Sequence, residues 1–105
     1  MLLKNLETIK EKIKTPETWC YHAFARNKDG NNVSWHDKEA CQWCLWGAIN
    51  SCVLNHKELS DVSYVIRKSA QKLYGIKNLI ELNDSLRFEA VHQVLDGAIN
   101  EARNG

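Results

Sequence analysis

At 105 residues, with 44% apolar and 26% charged side chains and a single proline, the chain has the balance of an ordinary globular protein and not of a disordered, collagen-like or membrane-spanning one. A domain of this size hides somewhat more than roughly 60% of its unfolded surface, which leaves little for a second core, so residues 1–105 are expected to form a single domain. The net charge of +1 supplies no global field toward nucleic acid or acidic lipid, and any such partner would have to be met by a local patch.

Leu2, Leu3, Leu6, Ile9 and Ile13 recur at three- and four-residue spacing, which predicts an amphipathic helix over residues 2–14. Thr15-Pro16-Glu17 ends it, because proline disfavours the α conformation at the residue before it; the same residues can open a new turn with Thr15 as cap. From Trp19 to Arg26 the side chains alternate, and the turn residues Asn27 to Asn32 follow. This predicts a β-hairpin closing at Val33, with Asp29-Gly30 supplying the positive-φ positions of a tight turn.

All four tryptophans and all four cysteines lie between Trp19 and Cys52. The densest stretch, Ala40 to Ile49, predicts a central helix from about 36 to 53, capped by Ser34 or Asp37 and stopped by Asn55 in a left-handed conformation. Cys41, Cys44, Ala48 and Cys52 would then form one stripe and Trp43 and Trp46 another, both buried. Gly47-Ala48 would let a neighbouring element approach the helix backbone. A further helix is expected from about Ser60 to Tyr74, closed by Gly75, with Arg67, Lys68 and Lys72 on its polar face. Ile76 to Leu82 is a short apolar segment without a clear period, broken by Asn83-Asp84-Ser85. The last helix spans about Leu86 to Arg103. The expected fold is α+β and mostly α: a central buried helix packed by three further helices and a small β-hairpin.

The start, Met1 to Glu7, alternates charge with leucine where an export signal needs an unbroken apolar run, so no signal peptide is expected and the cysteines are read as thiols in a reducing cytoplasm.

The run Trp19-Cys20-Tyr21-His22-Ala23-Phe24-Ala25-Arg26-Asn27-Lys28-Asp29-Gly30, followed by Ala40-Cys41-Gln42-Trp43-Cys44-Leu45-Trp46-Gly47-Ala48-Ile49, resembles a family of small bacterial and phage proteins of unknown function. That family shows Trp-Cys, then Ala-Arg-Asp with a glycine turn, then an aromatic-Cys-x-x-Gly-Ala helix. Asn83-Asp84 before Val91, Val94 and Ala98-Ile99 resembles its closing segment, and the likeness spans roughly residues 2–101. Asn27 stands where the family usually has Asp, and Cys41 and Cys52 look particular to this chain. The resemblance implies a bacterial or phage setting and a focus on Trp19, Cys20, Arg26 and Cys44, but no reaction.

Three constellations carry chemistry. Cys20, His22, Cys41 and Cys44 have the donor types of a tetrahedral zinc shell, although cysteines inside an apolar helix more often pack as small hydrophobes. A zinc deaminase is excluded, since Phe24 and Ala40 stand where it needs glutamate and proline. Cys20 or Cys44 as a nucleophile, with His22, His36 or His92 as base, needs a depressed thiol pKa; Cys44, placed about two turns into a helix, lacks one. The third set is Trp19, Tyr21, Arg26, Trp35 and His36, planar rings and a fork of donors suited to a phosphate or carboxylate. Its plainer reading is structural, with Arg26 paired to Asp29 or Asp84. Arg67, Lys68, Lys72 and Lys77 are basic, but a basic stretch on a helix is usually just its solvated face, which argues against nucleic acid. The expectation is a non-enzymatic binding or regulatory module without cofactor, for a small anionic molecule or a partner protein; the alternative is the Cys/His zinc or thiol site.

Overall fold

The computed structural model describes residues 1–104. Its first helix, α1 (Leu2–Lys12), buries Leu6 and Ile9, and Ile13 at its end is buried with them. Thr15 then opens a 3-10 turn over Pro16–Thr18, its backbone N–H donating to the Thr18 hydroxyl at 3.3 Å.

The expected hairpin forms only in part. Asn27 closes the tip, its side-chain oxygen accepting from the amides of Asp29 and Asn31, both at 3.0 Å, and Gly30 takes φ 81°. Arg26 bridges Asn32, and Val33 donates to the Ala25 carbonyl at 3.0 Å. Residues 20–24, however, are not a strand. They bend through His22 at φ 63°, and the regular strand β1 is confined to Ala25–Arg26.

The partner of β1 is β2 (Gln42–Trp43), antiparallel, with Ala25 opposite Trp43 and Arg26 opposite Gln42. On the other edge of β2, Trp19 makes a parallel bridge to Trp43, and Cys20 donates to the Trp43 carbonyl at 3.1 Å. One upstream segment therefore flanks β2 on both sides.

This pairing corrects the central helix, which is α2 (Leu45–Cys52) and does not begin near residue 36. The run from Cys41 to Cys44 is extended because its amides are held elsewhere: Cys41 donates to the Arg26 carbonyl at 2.9 Å and Cys44 to that of Phe24 at 3.2 Å. An apolar run of four to eight residues fits a strand as well as a helix, and backbone pairing decided it. Ser34 and Asp37 close local turns, accepting from His36 and Glu39. Asn55 does not stop α2 in a left-handed conformation; with φ −83° it caps α3 (His56–Tyr74), accepting from the amides of Lys57 and Glu58. Gly75, at φ 70°, ends α3 as expected. The segment without a clear period is α4 (Leu79–Ser85), capped by Asn78, so Asn83-Asp84-Ser85 lie inside a helix and do not break one. The chain closes with α5 (Phe88–Asn104).

The architecture is α+β and mostly α, as expected. Helix α2 sits in the middle against α1, α3 and α4, with Leu45, Ala48 and Ile49 fully buried, and α5 lies along α1 and α3. Glycine is needed at Gly47, where a Cβ would overlap the Phe24 carbonyl oxygen, the close approach read from Gly47-Ala48. The core is aliphatic. Trp19, Trp43 and Trp46 are half-buried and pack against its rim, so the indoles do not fill the interior expected of them. Among the described residues no helix is long and apolar enough to cross a membrane.

Candidate functional site

Asn83 positions the site. Its side chain is fully buried on the same face of α4 as Leu79 and Leu82, and its groups reach three separate stretches of chain. The carboxamide oxygen accepts from Trp19 Nε1 at 2.6 Å and from the Leu45 amide at 2.9 Å, while Nδ2 donates to the Cys20 carbonyl at 3.0 Å. Leu45 is the first residue of α2, whose opening amides have no partner within the helix; Asn83 satisfies one of them, and Cys44 Sγ accepts the Gly47 amide at 3.3 Å. One polar side chain thus seats the central helix and anchors the Trp19–Cys20 segment to it.

Asp84 completes the anchor. Its Oδ1 accepts the His22 amide at 2.9 Å, and its Oδ2 lies 3.5 Å from His22 Nδ1. This explains how a non-glycine residue holds φ 63°, a conformation that costs of order 1 kcal/mol and persists only where surrounding bonds fix it.

The bend so fixed forms one wall of an open recess of about 490 Å³, lined by Trp19, Cys20, Tyr21, His22, Arg26 and Gln42, with Pro16 at its edge. Arg26 crosses it. Nη1 donates to the Gly30 carbonyl at 3.0 Å and to Asn32 Oδ1 at 2.8 Å, and Nη2 donates to the Tyr21 carbonyl at 3.2 Å. It pairs with neither Asp29 nor Asp84. The guanidinium braces the turn and still has donors on Nε and Nη2 without a partner among the described residues. Tyr21 stands 53% exposed at the rim, its ring 5.8 Å from that of Trp19 and 5.0 Å from that of His22.

Of the residues expected to bind a ligand, the fold unites Trp19, Tyr21 and Arg26 and leaves Trp35 and His36 outside the recess. Trp35 lies edge-on to Phe24 at 5.3 Å, and its carbonyl accepts the Trp43 indole N–H at 3.2 Å. Asn83, Asp84 and Gln42 are the residues that sequence reasoning missed. A signal existed for Asn83: a carboxamide four residues along from Leu79 and next to Leu82 sits on the apolar face, where it must find partners.

The cysteines divide by exposure. Cys20 and Cys44 are buried, Cys52 is half-buried and Cys41 is exposed. Burial pushes the Cys20 thiol up to about 12, with neighbouring Cys44 adding to the effect. Cys44 and Cys52 are also raised by burial. Cys44 does stand at a helix start, contrary to the sequence-based expectation. The loss of water there outweighs the bonds from helix amides that favour its thiolate. These three thiols are protonated at neutral pH and poor nucleophiles. Among the described residues no group of three or more His, Cys, Asp or Glu is arranged to hold a metal ion; Cys41 is exposed at the surface while Cys20 and Cys44 are buried.

Residues 2–101 match the model of a family of unknown function (DUF6197). The chain belongs to this family. The match takes in the Trp19–His22 bend, the recess and Asn83-Asp84, so the whole site lies within the DUF6197 region. No curated protein and no solved structure matches the sequence.

Proposed function

We propose that this DUF6197 protein is a non-enzymatic binding or regulatory module whose recess takes a small anionic ligand. The observation that carries this reading is the convergence of Trp19, Tyr21, His22 and Arg26 on one open cavity of about 490 Å³, a volume within the usual range for small-molecule sites. An anion would lie against the free donors of Arg26 and the exposed imidazole of His22, and a planar or apolar portion against Tyr21 and Trp19. The protonated state of Cys20 beside the recess favours binding over thiol chemistry.

A protein partner is the second reading, favoured by the exposed rings of Tyr21 and Phe24, 53% and 44% exposed.

Phenyl phosphate combines both ligand features. Titrated into the isotopically labelled chain, it should shift the Trp19 indole N–H and Tyr21 resonances, and Tyr21→Ala should weaken binding about tenfold while leaving the melting temperature unchanged. Absence of any shift at millimolar concentration, or binding indifferent to Tyr21→Ala, rejects the small-ligand reading.

A further inference from the structure

A second recess lies where Trp46 of α2 meets Arg67 of α3 and the loop before α4. It measures about 420 Å³ and is lined by Trp46, Arg67, Lys77, Asn78, Leu79 and Ile80. The aromatic residues of the basic stretch that holds Arg67 and Lys77, Tyr64 and Tyr74, do not line this recess. The fold supplies another. The Trp46 indole is brought beside Arg67, whose Cζ lies over the ring at 5.8 Å from its centroid.

Some of the surface cations are paired with carboxylates, and among the described residues those of this recess are not. Lys10, Lys57, Lys68 and Arg103 each lie within 4 Å of a carboxylate, on Asp96, Asp61, Glu101 and Glu7 respectively. Arg67 and Lys77 have no such partner among the described residues, and no acidic residue lines the recess. The Trp46 indole N–H is likewise without a partner there, whereas Trp19 and Trp43 spend theirs on Asn83 and Trp35. Leu79 and the 40%-exposed Ile80 provide apolar wall. Two uncompensated cations, a half-buried indole with a free donor and an apolar wall are the elements that hold a nucleotide: stacking for the base, charge for the phosphate.

From this arrangement we infer that the Trp46–Arg67–Lys77 recess binds a nucleotide unit, its base against Trp46 and its phosphate on Arg67 and Lys77. The site is separate from the Arg26 recess and does not depend on what that one binds. A nucleotide unit reaches it either as a free mononucleotide or as part of a single strand. Stacking on an indole tolerates every base, since each has a π face, so the site is expected to show little base preference.

The experiment titrates the full chain, labelled for NMR, with adenosine monophosphate, with a ten-nucleotide oligothymidylate and with inorganic phosphate. The Trp46 indole signal is identified by its loss in Trp46→Phe. It should shift with the mononucleotide or the oligomer, and Arg67→Ala combined with Lys77→Ala, both at exposed positions, should weaken that binding at least about tenfold with an unchanged melting temperature. Tighter binding of the oligomer, weakening steeply with salt, identifies single-stranded nucleic acid as the source; equal affinities identify the free nucleotide. The inference is overturned if neither probe moves the Trp46 signal at millimolar concentration, if the double variant binds as well as the parent, or if inorganic phosphate alone binds as tightly as the mononucleotide.

Discussion

The Asn83 carboxamide oxygen accepts the indole N–H of Trp19 at 2.6 Å across 64 positions of sequence. Because the same oxygen also takes the Leu45 amide, Asn83→Ala would leave a half-buried indole donor, a helix amide and the Cys20 carbonyl without partners. Each group so stranded costs about 1–3 kcal/mol, and water entering the space would recover part of it. The expected loss is about 3 kcal/mol, read from urea denaturation. Asn83→Asp should not rescue it, since a carboxylate keeps the acceptor but brings an uncompensated charge into a fully buried position.

Gly47→Ala should be costly where Gly75→Ala is mild. A methyl group at Gly47 collides with backbone, the Phe24 carbonyl, and the chain must part from β2 or from α2 to admit it. The expected penalty is about 2–4 kcal/mol. At Gly75 nothing lies within 4 Å and only φ 70° opposes a side chain, so the penalty is about 1 kcal/mol. Equal midpoints for the two variants in urea would contradict the close approach.

His22→Gly separates strain from function. Glycine adopts φ 63° freely, which offsets the loss of the Asp84 contact, and the stability is expected to stay within about 1 kcal/mol of the parent. Binding of phenyl phosphate to the Arg26 recess should nevertheless fall, because an exposed ring that lines it is gone. A variant that binds undiminished would place the anion on Arg26 alone.

The thiols make stability fall at alkaline pH. Cys20 loses its proton near 9 when unfolded and only near 12 when folded, so the folded chain retains a proton that the unfolded chain gives up. Its contribution is complete below about pH 9 and is lost as the pH rises from there toward 12; Cys44 and Cys52, also raised, act in the same direction. Urea midpoints measured from pH 8 to pH 10.5 should decline, and less so in Cys20→Ala. Under native conditions at pH 8, iodoacetamide should modify the exposed Cys41 at least about ten times faster than Cys20 or Cys44. Peptide mapping reads this directly.

The long helices were legible because local signals agreed. α1 and α5 carry unbroken three-and-four spacing, and α3 ends on the left-handed Gly75 that the sequence announces. The middle of the chain was not, since Cys41 to Ile49, apolar except at Gln42, is a short run that fits strand and helix alike. What decided it was the set of amides of Cys41 and Cys44 bonding back to Arg26 and Phe24, a non-local fact. The same holds for the site. Trp19, Tyr21 and Arg26 stand out by chemical type and do share a recess, but Trp35 and His36 join them only if a central helix starts there, and α2 starts at Leu45. By residue type Asn83-Asp84 reads as a break, since such residues usually interrupt helices; here they lie within one and serve distant partners.

The placement of Asn83 also bears on the order in which the molecule can assemble during synthesis. The loop from Ala25 to Val33 closes on bonds between near neighbours, and β2 can join it once residue 43 has been made. The clasp that holds Trp19 and seats the first amide of α2 arrives some forty residues later, so a nascent chain spends several seconds, at about 5–20 residues per second, with its indole-rich surface unlatched. That interval is when an early partner or a chaperone would find this region open.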